Sequence, residues 1–374
     1  MIKDKKEFEL MNHSHNYGID ALRIISMLMI VTLHILGHGG VLNSSKSLNY
    51  WLLWLFEVSA YCAVNCYALI SGYVGVCSKY KLSNLAVLWL RVAFYSISLT
   101  IICKVLFSSQ IGTKSFFVSF FPIFSNQYWY FTSYAILFVF IPILNKGLNQ
   151  LSKNKLKMLI ISLVAITSLI HPITNEIFGD VFRLQQGYSP WWLMILYLIG
   201  GYIRKYGLFH RIKSHRAIVF ILIYLAFVLI TWISKIFIQF VSKLIWGTNV
   251  FDDILINYQS ITVLGAAISL LLAFAHISFR KYSLSIIMFF SPLAFSVYLI
   301  HEHSIIKKFL LVDKFSWVAN LPAYQMIPVI LGIIIGVYLL CSLIDLIRYY
   351  LFKWLRIKER LELVELKLKN LIQW

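Results

Sequence analysis

Charge is scarce in this chain. Only 13% of its 374 residues are Asp, Glu, Lys or Arg, against about 25% in soluble domains, which excludes an ordinary water-exposed globule. Acidic side chains are the rarer kind, 15 against 34 Lys and Arg, for a formal net charge of +19. The five cysteines (Cys62, Cys66, Cys77, Cys103, Cys341) sit in or beside apolar runs, without His or carboxylate partners at ligand spacing. They are expected to be packing residues, with no disulfide framework and no metal site. Neither a tandem repeat nor an inverted pair of halves is visible. The outer connections expected near 39–49, 108–127, 172–189, 246–257 and 309–324 are too short for a soluble catalytic domain, so the chemistry is assigned to one bundle and its loops. No cleavable signal peptide is expected, because the N-terminal stretch enters a span too long for one and has no small-residue cleavage site.

What the chain does have is apolar sequence, 60% of all residues. Several runs reach the roughly 20 residues that cross hydrocarbon. Spans are expected over 19–38, 50–77, 85–107, 128–147, 156–171, 190–206, 216–245, 258–278, 286–308 and 325–352. The predicted fold class is an all-α polytopic membrane protein, about ten transmembrane helices in one bundle over residues 1–352. Residues 353–374 alternate basic, acidic and leucine positions and read as an amphipathic tail on the inner leaflet. Basic clusters at Lys3/Lys5/Lys6, Lys79/Lys81, Lys153/Lys155/Lys157, Arg204/Lys205, Arg211/Lys213/Arg216, Arg280/Lys281 and from Arg348 onward fall at every second connection. That bias places roughly 25 basic residues inside against 9 outside, with both termini cytoplasmic. The positive charge is thus an orientation signal facing membrane lipids, and no nucleic-acid partner is expected.

Charged and titratable groups inside a span cost roughly 2.5–3.5 kcal/mol each on insertion scales, so the few present draw attention. Asp20 and Arg23 are three apart and can pair at the cytoplasmic boundary. Arg23 and His34 are eleven apart, within about 20° of one helix face and about 16 Å along it. His34 reads as a general base, since imidazole is best poised to take a hydroxyl proton near neutral pH. Glu57, on the second span, is either an interfacial carboxylate or, by depth, a group that orients the His34 ring. Ser71-Gly72 fits close backbone approach, to a helix or to a ligand; Gly200-Gly201 fits close packing or a bend. Gln127-Tyr-Trp-Tyr130 is either an interfacial aromatic belt or the lining of an acceptor cleft. On span nine, which is expected to begin at Ser291-Pro292, Tyr298 and His301 share a face while Glu302 and His303 diverge from it. That spacing is not a helical metal pattern, and a hydrogen-bond network or an acceptor contact is expected instead.

Together, Tyr17-Gly-Ile-Asp20-Ala-Leu-Arg23 with His34, Asn65-Cys-Tyr-Ala-Leu-Ile-Ser71-Gly72-Tyr73, Tyr128-Trp-Tyr130, Leu196-Tyr-Leu-Ile-Gly200-Gly201 and Ser296-Val-Tyr-Leu-Ile-His301 resemble the acyltransferase-3 family of bacterial membrane acyltransferases. The resemblance implies a ten-helix plasma-membrane enzyme that passes an acyl group, usually acetyl from acetyl-CoA, to a hydroxyl of an envelope polysaccharide or its lipid-linked precursor. It implies His34 as catalytic base and Arg23 holding the CoA moiety; Glu57, by its depth in the span, is the further catalytic candidate. Asp20, Ser71 and Arg91 are further candidates for the donor, with Arg204 another cation for its phosphates. Asn65, Trp129, Tyr130, His301 and Glu302 are the candidates for the acceptor. Two departures stand out: Asp20, itself common in the family, stands where many members carry a second Arg, and no fused esterase-like domain is expected, so transfer is expected to finish within the bundle or to hand the group directly to an acceptor. The competing class is a transporter or flippase for an anionic lipid-linked saccharide, which also wants Arg and His inside a bundle.

Overall fold

The computed structural model describes residues 15–106, 112–125, 127–207, 217–248 and 253–372. The basic clusters Lys3/Lys5/Lys6 and Arg211/Lys213/Arg216 lie outside them. Among the described residues the secondary structure is helical, with no strand. The principal helices, in chain order, are α1 (Tyr17–Leu36), α2 (Ser47–Ala60), α3 (Ala63–Gly75), α4 (Leu82–Leu106), α5 (Trp129–Gln150), α6 (Lys153–Val164), α7 (His171–Phe178), α8 (Pro190–Tyr206), α9 (Ala217–Trp246), α10 (Ile261–His276), α11 (Lys281–Phe290), α12 (Ala294–His301), α13 (Ala323–Trp354) and α14 (Ile357–Ile372).

A helix stands at each of the ten expected positions. Among the described residues, seven stretches, counting α2 with α3 and α6 with α7 as single runs, are long and apolar enough to cross a membrane; α11 with α12 counts as an eighth if the bent pair is one span. α10 is apolar but shorter, at 16 residues. The expected helix start at Ser291-Pro292 is corrected. Those residues form a turn after α11, and the next helix begins at Ala294. The helix expected over 286–308 is broken a second time, because α12 closes at His301 and helical structure resumes at Ser304.

Contacts cluster into two compact units. The first holds residues 15–30, 54–79 and most of 139–291; the second holds 31–53, 80–138 and 292–372, the described parts only. α1 runs through both without a break.

In the first unit, sequence signals set the helix ends. Asn16 caps α1, its Oδ1 accepting from the Gly18 amide at 2.9 Å, which satisfies one of the donors a helix start leaves free. Ser189 caps α8, accepting from Trp192 N, with Pro190 as the first helical residue. Gly72 and Gly200 let α3 and α8 touch backbone to backbone. A Cβ on Gly72 would lie 2.0 Å from Tyr197 O, and one on Gly200 2.1 Å from Leu69 O. Both glycine motifs are therefore helix-packing devices. Asn65 is fully buried, its amide nitrogen donating to Tyr258 O at 2.7 Å and its oxygen accepting from Trp192 Nε1 at 3.0 Å.

The second unit is pinned by buried polar contacts. Arg348 holds Asp345 with two bonds, Nε to Oδ1 at 2.8 Å and Nη2 to Oδ2 at 2.6 Å, and the Tyr95 hydroxyl donates to the same carboxylate. This joins α13 to α4 through a charge pair neutralised where water is scarce. α14 folds back on the start of α4. Glu365 accepts from the Leu82 and Ser83 amides at 3.2 and 3.0 Å, and Lys81 pairs with Glu362 at 2.9 Å. The tail thus supplies, from another element, the carboxylate that a helix N-terminus favours.

Candidate active site

Arg23 lies on the part of α1 in the first unit and His34 on the part in the second, and each has its own neighbourhood.

Around His34, the second unit gathers His38, His301, Glu302 and Lys307. His301, the last residue of α12, brings its Nε2 to 2.8 Å from His34 Nδ1, and its own Nδ1 lies 2.6 Å from Val297 O. A carbonyl only accepts, so in the neutral ring His301 Nδ1 carries the hydrogen and Nε2 is bare. His34 must then donate from Nδ1, which leaves His34 Nε2 as the atom with a free electron pair. The tautomers follow from the partners present.

Glu302 corrects the expectation that it diverges from His301. α12 has ended, Glu302 is its C-cap residue at φ −89°, ψ −1°, and the carboxylate turns to His34, with Oε2 at 3.2 Å from Nδ1. Lys307 pairs with Oε1, while the buried Oε2 has no hydrogen-bond partner. An uncommitted carboxylate oxygen beside an imidazole is pre-placed to stabilise that ring once it is protonated. The contact expected of Glu57 is therefore made by Glu302. Glu57 itself is buried in the first unit, where its Oε2 has no hydrogen-bond partner.

Tyr128 is buried and donates its hydroxyl to Leu299 O at 3.0 Å, with its ring edge-on to Tyr298. It thereby steadies the helix that carries His301. Trp129 and Tyr130 are half-buried, and Tyr130 stacks on Tyr134. Asn65, with both ends of its amide spent on the interior, is a packing pin of the first unit rather than an open acceptor contact.

Arg23 belongs to the first unit and lines a cavity of about 310 Å³ with Asp20, His15, Tyr73, Ser78 and Arg204. Asp20 pairs with both Arg23 and His15. Arg204 donates to the Tyr73 hydroxyl at 3.1 Å and lies over that ring. Two guanidiniums against one carboxylate leave surplus positive charge, and the volume is at the lower end of small-molecule sites. Ser71 does not line this cavity; its hydroxyl bonds Tyr67 O on its own helix. Arg91 does not line it either. It lies on α4 in the second unit, with Nη1 3.4 Å from Pro292 O.

Sequence inspection missed His38 and Lys307. His38 had a signal, since it follows His34 by four residues, the spacing that puts two rings together on a helical turn. Their centroids are 5.1 Å apart. Ligand atoms of His34, His38 and Glu302 all lie within 4.8 Å of one another, so this trio, expected to hold no metal, has the donor set for one.

No curated protein and no solved structure matches the chain at a significant level. A family model described as an acyltransferase domain matches residues 16–346, a stretch that contains α1, both glycine motifs, His301 and Glu302. The chain is a member of the acyltransferase-3 family, a multi-pass helical membrane acyltransferase.

Proposed function

We propose that this protein moves an acyl group, acetyl in the first instance, from acyl-CoA to a hydroxyl of a cell-surface polysaccharide or its lipid-linked precursor. It would do so in a bacterial plasma membrane, with about ten spans and both termini inside. The observation that carries the proposal is the locked His34 ring. Its Nδ1 is engaged by His301, and an uncommitted carboxylate oxygen of Glu302 waits at 3.2 Å.

The step balances as follows. His34 Nε2 takes the proton of the acceptor hydroxyl as its oxygen attacks the thioester carbonyl. The new C–O bond forms and the C–S bond breaks. The proton then passes from the imidazolium to the departing CoA sulfur. During the step Glu302 offsets the charge on the ring, and His301 fixes which nitrogen reacts. Donor phosphates suit the surplus positive charge of the Arg23 and Arg204 cavity, because guanidiniums bind phosphate oxygens through paired, charge-assisted hydrogen bonds.

The test uses membranes containing the protein and acetyl-labelled acetyl-CoA. Wild type should place label in the saccharide or lipid-linked fraction, and His34→Ala should cut that transfer by about 10²–10⁴-fold, the range a general base supplies. Label transfer unchanged in His34→Ala would end the assignment of the base. Saccharide movement without any donor binding would favour the flippase.

A further inference from the structure

We propose that His34, His38 and Glu302 bind a divalent ion of the zinc class, and that the bound ion switches His34 off as a base. The second half rests on the acyl-transfer proposal; the first half does not.

The donor set is that of zinc, two imidazole nitrogens and one carboxylate, with a fourth position left for water. α1 ends at Leu36, and the following turn carries His38 back toward His34, with Gly39 N bonded to His34 O at 3.0 Å. The turn is clamped from a second side, since Asp313 N donates to His38 O and Phe315 N to Gly39 O, each at 3.0 Å. The His38 backbone is thus fixed, while its side chain is 44% exposed. His34 Nδ1 is 3.2 Å from Glu302 Oε2, and His38 Nε2 is 3.9 Å from Oε1. Zinc bonds of about 2.1 Å at tetrahedral angles put ligand atoms about 3.4 Å apart. The ligand atoms all lie within 4.8 Å of one another, so closing the trio takes a contraction of at most about 1.4 Å, within reach of a His38 side-chain rotation.

Lys307 occupies the place a cation would take. Its ammonium pairs with Oε1, yet the side chain is 30% exposed, so it can swing out to water and yield to a doubly charged ion. Metal binding at His34 Nδ1 moves that nitrogen's hydrogen to Nε2 and breaks the bond to His301. Nε2 then carries a proton and has no electron pair for the acceptor hydroxyl. An ion bound there blocks transfer rather than assisting it.

The test titrates the full-length protein, stripped with a chelator, with Co²⁺, reading the visible absorption of tetrahedral cobalt and its displacement by Zn²⁺. One ion per chain is expected. His38→Asn should weaken binding at least about tenfold, as loss of one ligand does, and Lys307→Met should tighten it severalfold. No saturable cobalt signal, or equal affinity in His38→Asn, would overturn the site. A parallel assay measures Zn²⁺ inhibition of acyl transfer, each variant scaled to its own zinc-free rate, and inhibition should track binding. Zinc binding with transfer undisturbed would overturn the switch. Absence of transfer in every form would remove the acyl-transfer proposal while the cobalt titration still decides the site.

Discussion

At the His34 end of α1 the polar groups are locked together. His301 is spent on Val297 O and His34, Glu302 Oε1 on Lys307, and Glu302 Oε2 faces the ring that would become charged. At the Arg23 end the same helix borders a cavity lined by two guanidiniums and one carboxylate, Asp20 pairing with Arg23 while Arg204 bonds the Tyr73 hydroxyl, which keeps capacity for an anion. A locked cluster suits a group that must react in one tautomer; an open, positively charged cavity suits a ligand that must enter and leave. On the proposed function, the contrast would separate chemistry from holding.

The sharpest way to break that separation is to disturb the lock alone. His301→Phe removes the acceptor for His34 Nδ1–H, and transfer is expected to fall by about 10–100-fold, the usual effect of losing such a partner. Donor affinity, measured by equilibrium binding of acetyl-CoA, should not change. Glu302→Gln keeps the shape and removes the charge, so it should also lower the rate at saturating donor without moving the binding constant.

Disturbing the holding end should do the reverse. Arg204→Ala removes one cation from the cavity and is expected to weaken acetyl-CoA binding about tenfold, as loss of a charge-assisted bond does. The rate of the bound complex should stay near wild type. A matched fall in rate would mean that the cavity shares in the chemistry.

The smallest effect lies far from both ends and serves as the control. Burial pushes the Glu365 carboxyl up. The bonds from Lys369, from the Ser83 side chain and amide and from the Leu82 amide outweigh it and bring the group down to about 2. A carboxylate depressed below its ordinary value of 4.5 stabilises docking fully above that pH and loses the contribution as pH falls toward 2. Hydrogen exchange at Leu82 and Ser83 should therefore speed up over that window in wild type. Glu365→Gln should weaken docking by about 1 kcal/mol at neutral pH and remove the acid dependence.

Much of this was legible in the sequence because one period governs it. The helical repeat put Arg23 and His34 on one helix, and the glycine pairs announced a close helix contact. The rest depended on where helices stop and how they are turned. Glu302 was expected to point away from His301 on the assumption of a continuing helix, and it reaches His34 because α12 ends one residue earlier. Glu57 was read by depth alone, either as an interfacial carboxylate or as a partner of His34, and depth does not fix the direction a side chain faces. Asn65 sits inside a recognisable motif, yet its partners Trp192 and Tyr258 are 127 and 193 residues away, beyond any local pattern.

The most direct measurement is a paired one, donor affinity and single-turnover transfer rate at saturating acetyl-CoA, for Arg23→Ala and His34→Ala side by side. The account predicts weakened binding with a near-normal rate for Arg23→Ala, and near-normal binding with transfer all but abolished for His34→Ala. Equal losses in both quantities for both variants would contradict it.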